Sequence, residues 1–312
     1  MNMFGNFSET WSWTAHLLGC LVLTKAFYAV AQWTYICFFR PGKDLKKCYG
    51  EWAVVTGATD GIGKAIAQEL SKQGMKVVLL SRTLSRLEET QKELRGESAV
   101  CVVDFSNYDD AARAKVAAVL KGKDVGLLVN NVGISYDHPA FFHEVEKDRQ
   151  EQLISLNVTA TTRMTADCLP AMLEKKKGAV VNIASISGVS SSPLLTQYSA
   201  TKAYVIRLTE GLSAEYEKKG IHFQCQYPHF VTTKLAKLRK PSLTIASPNA
   251  YAKAAVRAIG YDTLISPYWS HYVCAELLAK LPLSLQSMAL MQMHLPIRSK
   301  ALKKKAEQAK QQ

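Results

Sequence analysis

"WAVVTGATDGIGKAIAQEL", Trp52 to Leu70, runs from an apolar stretch through a glycine-rich turn into a segment of helical period. Gly57, Gly61 and Gly63 stand at a G-x-x-x-G-x-G spacing. Glycines so placed let the backbone turn tightly and approach a pyrophosphate at the N-terminus of the following helix. An ordinary strand–helix turn can look the same. The position between a buried-type strand and an amphipathic helix is what points to a dinucleotide.

The same alternation continues downstream. "KVVLLS" (76–81), "AVCVVD" (99–104), "VGLLVNN" (125–131), "AVVNIAS" (179–185) and "IHFQCQYP" (221–228) are short and apolar. Segments of helical period lie between them, among them Ile62–Gln73, Leu84–Leu94 and Asp109–Leu120. Strands covered on both faces read as continuous apolar runs, so the pattern predicts an α/β fold with a doubly wound, Rossmann-type parallel sheet.

The second strand indicates which dinucleotide. An NAD site places a carboxylate about 20 residues past the glycine turn, on the ribose 2′-hydroxyl. Here "LLSRT" (79–83) offers Ser81, Arg82 and Thr83 instead. A planar guanidinium at Arg82 suits a 2′-phosphate, which predicts NADPH. Lys64 either adds to that field or is simply solvated. Asp104, ending the third strand, either accepts from the adenine amine or caps the turn that begins near Ser106.

In "QYSATKAYVIRL" (197–208), Tyr198 and Lys202 are four apart and share a helix face. An ammonium near a phenol lowers its pKa and fits it for acid–base work. With 13 tyrosines and a lysine-rich chain, such a pair also arises by chance. The surrounding motifs decide.

Those motifs resemble the short-chain dehydrogenase/reductase family. "TGATDGIG" is similar to its TGxxxGxG turn, "NNVG" (130–133) to its NNAG strand end and "YSATK" to its YxxxK. Ser185 lies 13 residues before Tyr198, where the family has its serine, and Asn157 in "SLNVTA" matches its helix asparagine. "PHFVTT" (228–233) resembles the loop that holds the nicotinamide amide, with His229 in place of glycine. The resemblance implies Asn157, Ser185, Tyr198 and Lys202 as catalytic residues. Tyr198 would give a proton, Ser185 would hold the carbonyl, Lys202 would tune the phenol, and Asn157 would hold a water. It implies cofactor contacts from Gly57, Thr59, Asp60, Gly61, Ile62, Gly63, Arg82, Asp104, Asn131, Tyr198, Lys202, Val231 and Thr233.

Within that family, "NNVGISY", "PLLTQYSATK" and "VTTKLAKLRKPSL" are similar to the microsomal very-long-chain 3-oxoacyl-CoA reductases, also classed as a 17β-hydroxysteroid dehydrogenase type. This implies an acyl-CoA or steroid substrate, an endoplasmic-reticulum membrane setting, and fatty-acid elongation enzymes or a second copy as partners. A silent scaffold is the alternative outside enzymology. It has no physical need for Ser185, Tyr198 and Lys202. The chain departs from that branch in ending "AKQQ" rather than in a KKxx dilysine signal.

Lys234, Lys237, Arg239 and Lys240 follow the nicotinamide loop. They form either a solvated face or a grip on coenzyme A phosphates. Net charge is +13, but eight of these charges lie in Arg40–Lys47 and Arg298–Gln312. No aromatic-interleaved basic stripe accompanies them, which argues against nucleic acid and for an anionic membrane surface. The seven cysteines are scattered without a CxxC, so no metal is expected and a reducing compartment is implied.

Ala15–Phe39 is apolar over 25 residues, enough for a transmembrane helix, with a buried or interfacial helix as the alternative. The first 24 residues hold no Lys or Arg, while four follow within Arg40–Lys47, which places the following domain in the cytosol. The expected organisation is an anchor over 1–39, a basic linker over 40–50 and a reductase domain over 51–263. An apolar substrate- or membrane-facing region over 264–297 and a basic tail over 298–312 follow.

Overall fold

The structure, a computed structural model, describes residues 3–238 and 240–310. It divides after Pro41 into an N-terminal unit and a body.

The N-terminal unit is one helix, α1 (Met3–Thr34), running into a wide π-helical turn at Tyr35–Phe39. Trp11–Phe39 is long and apolar enough to cross a membrane, with a mean hydropathy of 1.4. Its hydroxyls are absorbed within the helix: Thr24 Oγ1 donates to the Cys20 carbonyl at 2.7 Å, and Thr34 Oγ1 to that of Val30 at 2.7 Å. Those two hydroxyls are thus satisfied as hydrocarbon surroundings require, while Lys25 and Gln32 stay exposed on the flank.

The body is built on a parallel sheet of β1 (Trp52–Thr56), β2 (Lys76–Ser81), β3 (Ser98–Val102), β4 (Val125–Asn130), β5 (Gly178–Ile183), β6 (Ile221–Gln226) and β7 (Leu264–Ile265). Its strand order is β3-β2-β1-β4-β5-β6-β7. Beyond the short α2 (Leu45–Tyr49), the helices are α3 (Gly61–Lys72), α4 (Leu84–Lys92), α5 (Asp110–Leu120), α6 (Lys147–Ile154), α7 (Ala160–Glu174), α8 (Thr196–Tyr216), α9 (Pro248–Ala258), α10 (Trp269–Lys280) and α11 (Leu283–Ala309).

Side chains alternate across a strand, so each strand feeds both faces. Ala53, Val55, Val77, Leu79, Leu127 and Val129 enter one apolar core, packed against Ile66 and Leu70 of α3 and Tyr251 of α9. Trp52, Val54, Val78, Leu80, Val125 and Leu128 enter the other, with Met164 and Leu169 of α7.

Three expected boundaries shift. β7 pairs with β6, so the sheet continues past residue 263. A two-residue strand carries no readable period, which is why it escaped the sequence. The division after Pro41 falls inside the stretch expected to be a linker over 40–50, and Leu45–Tyr49 of that stretch forms α2 in the body. α10 stops at Lys280 and Pro282 caps α11, as a proline break requires. α11 then runs unbroken through Pro296 to Ala309, so no boundary separates 264–297 from 298–312.

Candidate active site

The carboxyl ends of the parallel strands converge on one crevice, the usual ligand position in such sheets. At β1 the chain leaves Thr56, turns through Gly57 and enters α3, whose cap is Asp60: its carboxylate accepts from the Gly61 N–H at 2.7 Å. Gly61 adopts φ +55°, and a Cβ there would stand 2.9 Å from the Thr233 methyl. A Cβ on Gly63 would collide with the Asn131 side chain and the Gly57 carbonyl. Only glycine keeps this cradle open at those two positions.

Neighbouring strands pin the turn. Thr59 and Ser81 hydroxyls are 3.0 Å apart. Asn131 Nδ2 donates to the carbonyls of Thr56 at 3.0 Å and Gly57 at 3.2 Å, and its N–H donates to Thr56 Oγ1 at 2.9 Å. Asn131 thus holds the cradle's backbone. Arg82 is exposed at the end of β2, beside this turn. Asp104 Oδ1 accepts from the N–H of Ser106 at 2.9 Å and its hydroxyl at 2.8 Å, the capping arrangement. Lys64 is paired with Glu93 at 2.8 Å.

Ser185, Tyr198 and Lys202 line one cavity of about 200 Å³, together with Asn131, His229, Val231 and Thr233. β5 delivers Ser185 and α8 delivers the tyrosine–lysine pair. Burial raises the Tyr198 phenol above its ordinary pKa, while a hydrogen bond with Ser185 acts the other way. Burial brings the Lys202 ammonium down to about 8, opposed by Cys225. Lys202 Nζ donates to the Ile183 carbonyl at 3.0 Å and lies 5.9 Å from the Tyr198 ring centroid. The lowering expected from Lys202 is not what governs this phenol: burial raises it, and the opposing influence is the hydrogen bond with Ser185.

Asn157 sits in a π-helical turn, Ser155–Thr159, between α6 and α7. Its Nδ2 donates to the Ile134 carbonyl at 3.0 Å and to Thr201 Oγ1 at 3.0 Å, while its Oδ1 accepts from the Ile134 N–H at 2.8 Å. Both amide donors are committed. The side chain fastens Ile134 to α8 beneath the cavity.

The basic run is partly engaged. Lys234 pairs with Asp60 at 2.9 Å, and Lys237 donates to the Asp137 carbonyl at 2.6 Å. Lys240 is exposed, and Arg239 lies outside the described residues. The roof of the cavity is Leu278 of α10 and Leu290, Met293 and His294 of α11, within the 264–297 stretch, none of which sequence reasoning named as a site residue. His294 Nδ1 lies 2.7 Å from the Pro193 carbonyl and fastens α11 over the site. Among the described residues no group of His, Cys, Asp and Glu could hold a metal ion.

A glycine cradle at a helix N-terminus beside a serine, tyrosine and lysine in one cavity defines an oxidoreductase of the doubly wound class. The short chain dehydrogenase family model matches residues 51–243, and the chain belongs to that family. It is 40% identical over 277 residues to a very-long-chain 3-oxoacyl-CoA reductase-like protein of Arabidopsis thaliana, covering 85% of this chain and 88% of that one. It is 41% identical to the human very-long-chain 3-oxoacyl-CoA reductase, covering 82% and 83% respectively. Among solved structures, a short-chain dehydrogenase of Sphingobium yanoikuyae in complex with NADPH superposes with a TM-score of 0.62. The two are 26% identical over 74% of this chain and 96% of that one.

Proposed function

We propose that the protein reduces the 3-oxo group of long- and very-long-chain 3-oxoacyl-CoA to the 3-hydroxyacyl-CoA in fatty-acid elongation, using NADPH. The observation that carries this reading is the extent of the likeness: about two-fifths identity over more than four-fifths of both chains to reductases of that name. A nicotinamide cofactor suits the glycine cradle and the N-terminus of α3, with Thr59, Asp60, Ile62, Asn131, Val231 and Thr233 around it. When bound, it supplies the hydride added to the carbonyl carbon. Ser185 donates to the substrate carbonyl oxygen and steadies the charge that develops there. Tyr198 transfers its phenolic proton to that oxygen, and burial keeps the phenol protonated until then. The Lys202 ammonium offsets the phenolate as it forms. Asn157 holds Ile134 and Thr201, and through them the floor of the site.

The test is oxidation of NADPH by the purified full chain with a long-chain 3-oxoacyl-CoA and, separately, with estrone. Turnover of the thioester supports the reading; turnover of the steroid alone replaces it with a 17-ketosteroid reductase.

The choice of NADPH rests on Arg82, exposed at the end of β2 beside the glycine turn. Arg82→Ala should weaken NADPH binding by about 1.5–3 kcal/mol, the worth of charge-assisted hydrogen bonds, and spare NADH. Equal weakening of both cofactors, measured by fluorescence titration, would make the residue structural.

The protein is membrane-anchored in this reading, with α1 in the endoplasmic-reticulum bilayer and the body in the cytosol. Deleting residues 1–39 should release protein from microsomes on carbonate-free flotation. Attachment that persists would implicate the exposed Leu277, Leu281, Leu283, Leu285 and Met288 at the α10–α11 corner. Protease added outside sealed microsomes should digest the body; protection would reverse the orientation.

A further inference from the structure

α11 presents one continuous stripe to the crevice, and that stripe changes character along its length. Leu290, Met293 and His294 roof the catalytic cavity. His294, Ile297, Ala301, Lys304, Lys305 and Gln308 line a second cavity of about 430 Å³. These positions recur at three- and four-residue intervals, one face of a helix. The two cavities share Ser135, Leu195, Phe230, Leu235, Ala236 and His294 as a common wall. The second in turn shares Lys237 and Lys304 with a third, of about 780 Å³, beside the start of α3. A path therefore leads from Tyr198 along an apolar wall to a basic chamber.

The charge of that chamber can be resolved residue by residue. Its two carboxylates are already matched: Asp60 by Lys234 at 2.9 Å, and Glu93 by Lys64 at 2.8 Å. Lys237 and Lys304 are the cations left over. Lys305 joins them from the middle cavity, where Asp137 is itself paired with Arg149 at 2.9 Å. Neither Lys304 nor Lys305 takes part in an ion pair or hydrogen bond among the described residues. α11 is held in place by Arg298, which pairs with Glu144 and lies over the Phe141 ring at 5.1 Å. Its lysines are thus carried on a docked helix, not a free tail.

We propose that Lys304 and Lys305 of α11, with Lys237, form the subsite for the phosphates of a coenzyme A thioester, its pantetheine arm lying along the Leu235–Ile297 wall. The inference rests on the acyl-CoA reading above. It moves part of the C-terminal charge from the membrane surface to the substrate. A thioester reduced at its 3-carbon needs a narrow passage for the arm and separate cations for the phosphates. The three connected cavities provide that sequence of surroundings.

The experiment compares wild type with Lys304→Gln/Lys305→Gln, full chain in a non-ionic detergent. The substrates are a long-chain 3-oxoacyl-CoA and the same acyl group as its pantetheine thioester, which lacks phosphate. The ratio of kcat/KM for the coenzyme A ester to that for the pantetheine ester should fall at least about fivefold, and further at low ionic strength. An unchanged ratio, with both esters turned over, would overturn the inference alone. A raised KM for NADPH in place of the acyl-CoA effect would also overturn it, assigning the lysines to the cofactor's phosphates. Failure of the wild type to reduce either ester would overturn the parent reading and this subsite with it.

Discussion

Replacing Tyr198 with phenylalanine should lower ketone reduction at least about 100-fold while leaving folding and cofactor affinity near wild type, in line with the worth of a positioned general acid. The ring packs beside the buried Tyr136, Ala140 and Leu153, and phenylalanine retains that contact. The substitution removes only the hydroxyl. Its partner keeps another role, because Ser185 Oγ still accepts from the Ser187 N–H at 3.2 Å. Structural cost is therefore small. The chemical cost is large, because the carbonyl oxygen would become an alkoxide with no acid beside it. A 100-fold loss corresponds to about 2.7 kcal/mol of barrier. Single-turnover kinetics with prebound NADPH would isolate the chemical step. Near-normal turnover in a folded Tyr198→Phe protein would assign the proton to another group and leave the tyrosine–lysine spacing a coincidence of helix geometry.

What could be read from the sequence follows from the range over which each signal acts. The apolar runs from Trp52 to Gln226 announced six of the seven strands, because strands covered on both faces carry their burial in their own residues. The glycine turn was legible for a related reason: Gly61 answers to a positive φ and Gly63 to the Gly57 carbonyl six residues before it, although Asn131 also closes on Gly63. The pairing of Lys234 with Asp60 was not legible, since the two are far apart in the chain and meet only through the fold. Asn157 was found by its motif, yet its task of holding Ile134 and Thr201 appears only once α6, α7 and α8 are placed. α11 is the instructive miss. Leu290, Met293, Ile297, Ala301 and Lys304 form a helical stripe in plain view, but the change from an apolar region to a basic tail was read as a boundary after residue 297. A proline within a long helix removes one backbone bond, and packing against the crevice supplies enough to carry the helix through.

Lys202 sets function against stability, and Lys202→Met should separate the two. The side chain is buried, and burial has drawn its pKa from 10.5 to about 8. At pH 7 the folded protein must hold an ammonium that the unfolded chain would leave in water, at a cost of about 3 kcal/mol. Between about pH 8 and 10.5 the unfolded state binds the additional proton, so this cost is complete below pH 8 and fades as pH rises through that window. Methionine has nearly the same length and no charge. It forfeits the 3.0 Å bond from Nζ to the Ile183 carbonyl, worth about 1 kcal/mol, and leaves that oxygen without its donor. The balance predicts a variant more stable than wild type by about 1–2 kcal/mol at pH 7, an advantage that shrinks toward pH 10. The same variant should lose activity at least about 100-fold, because the forming phenolate of Tyr198 would have no cation beside it. Urea unfolding at pH 7 and pH 10, run beside the reductase assay, reads both effects. A variant destabilised at pH 7, or a difference that ignores pH, would mean that the wild-type amine is not carried as a buried cation. The phenol would then be tuned by its hydrogen bond to Ser185 alone.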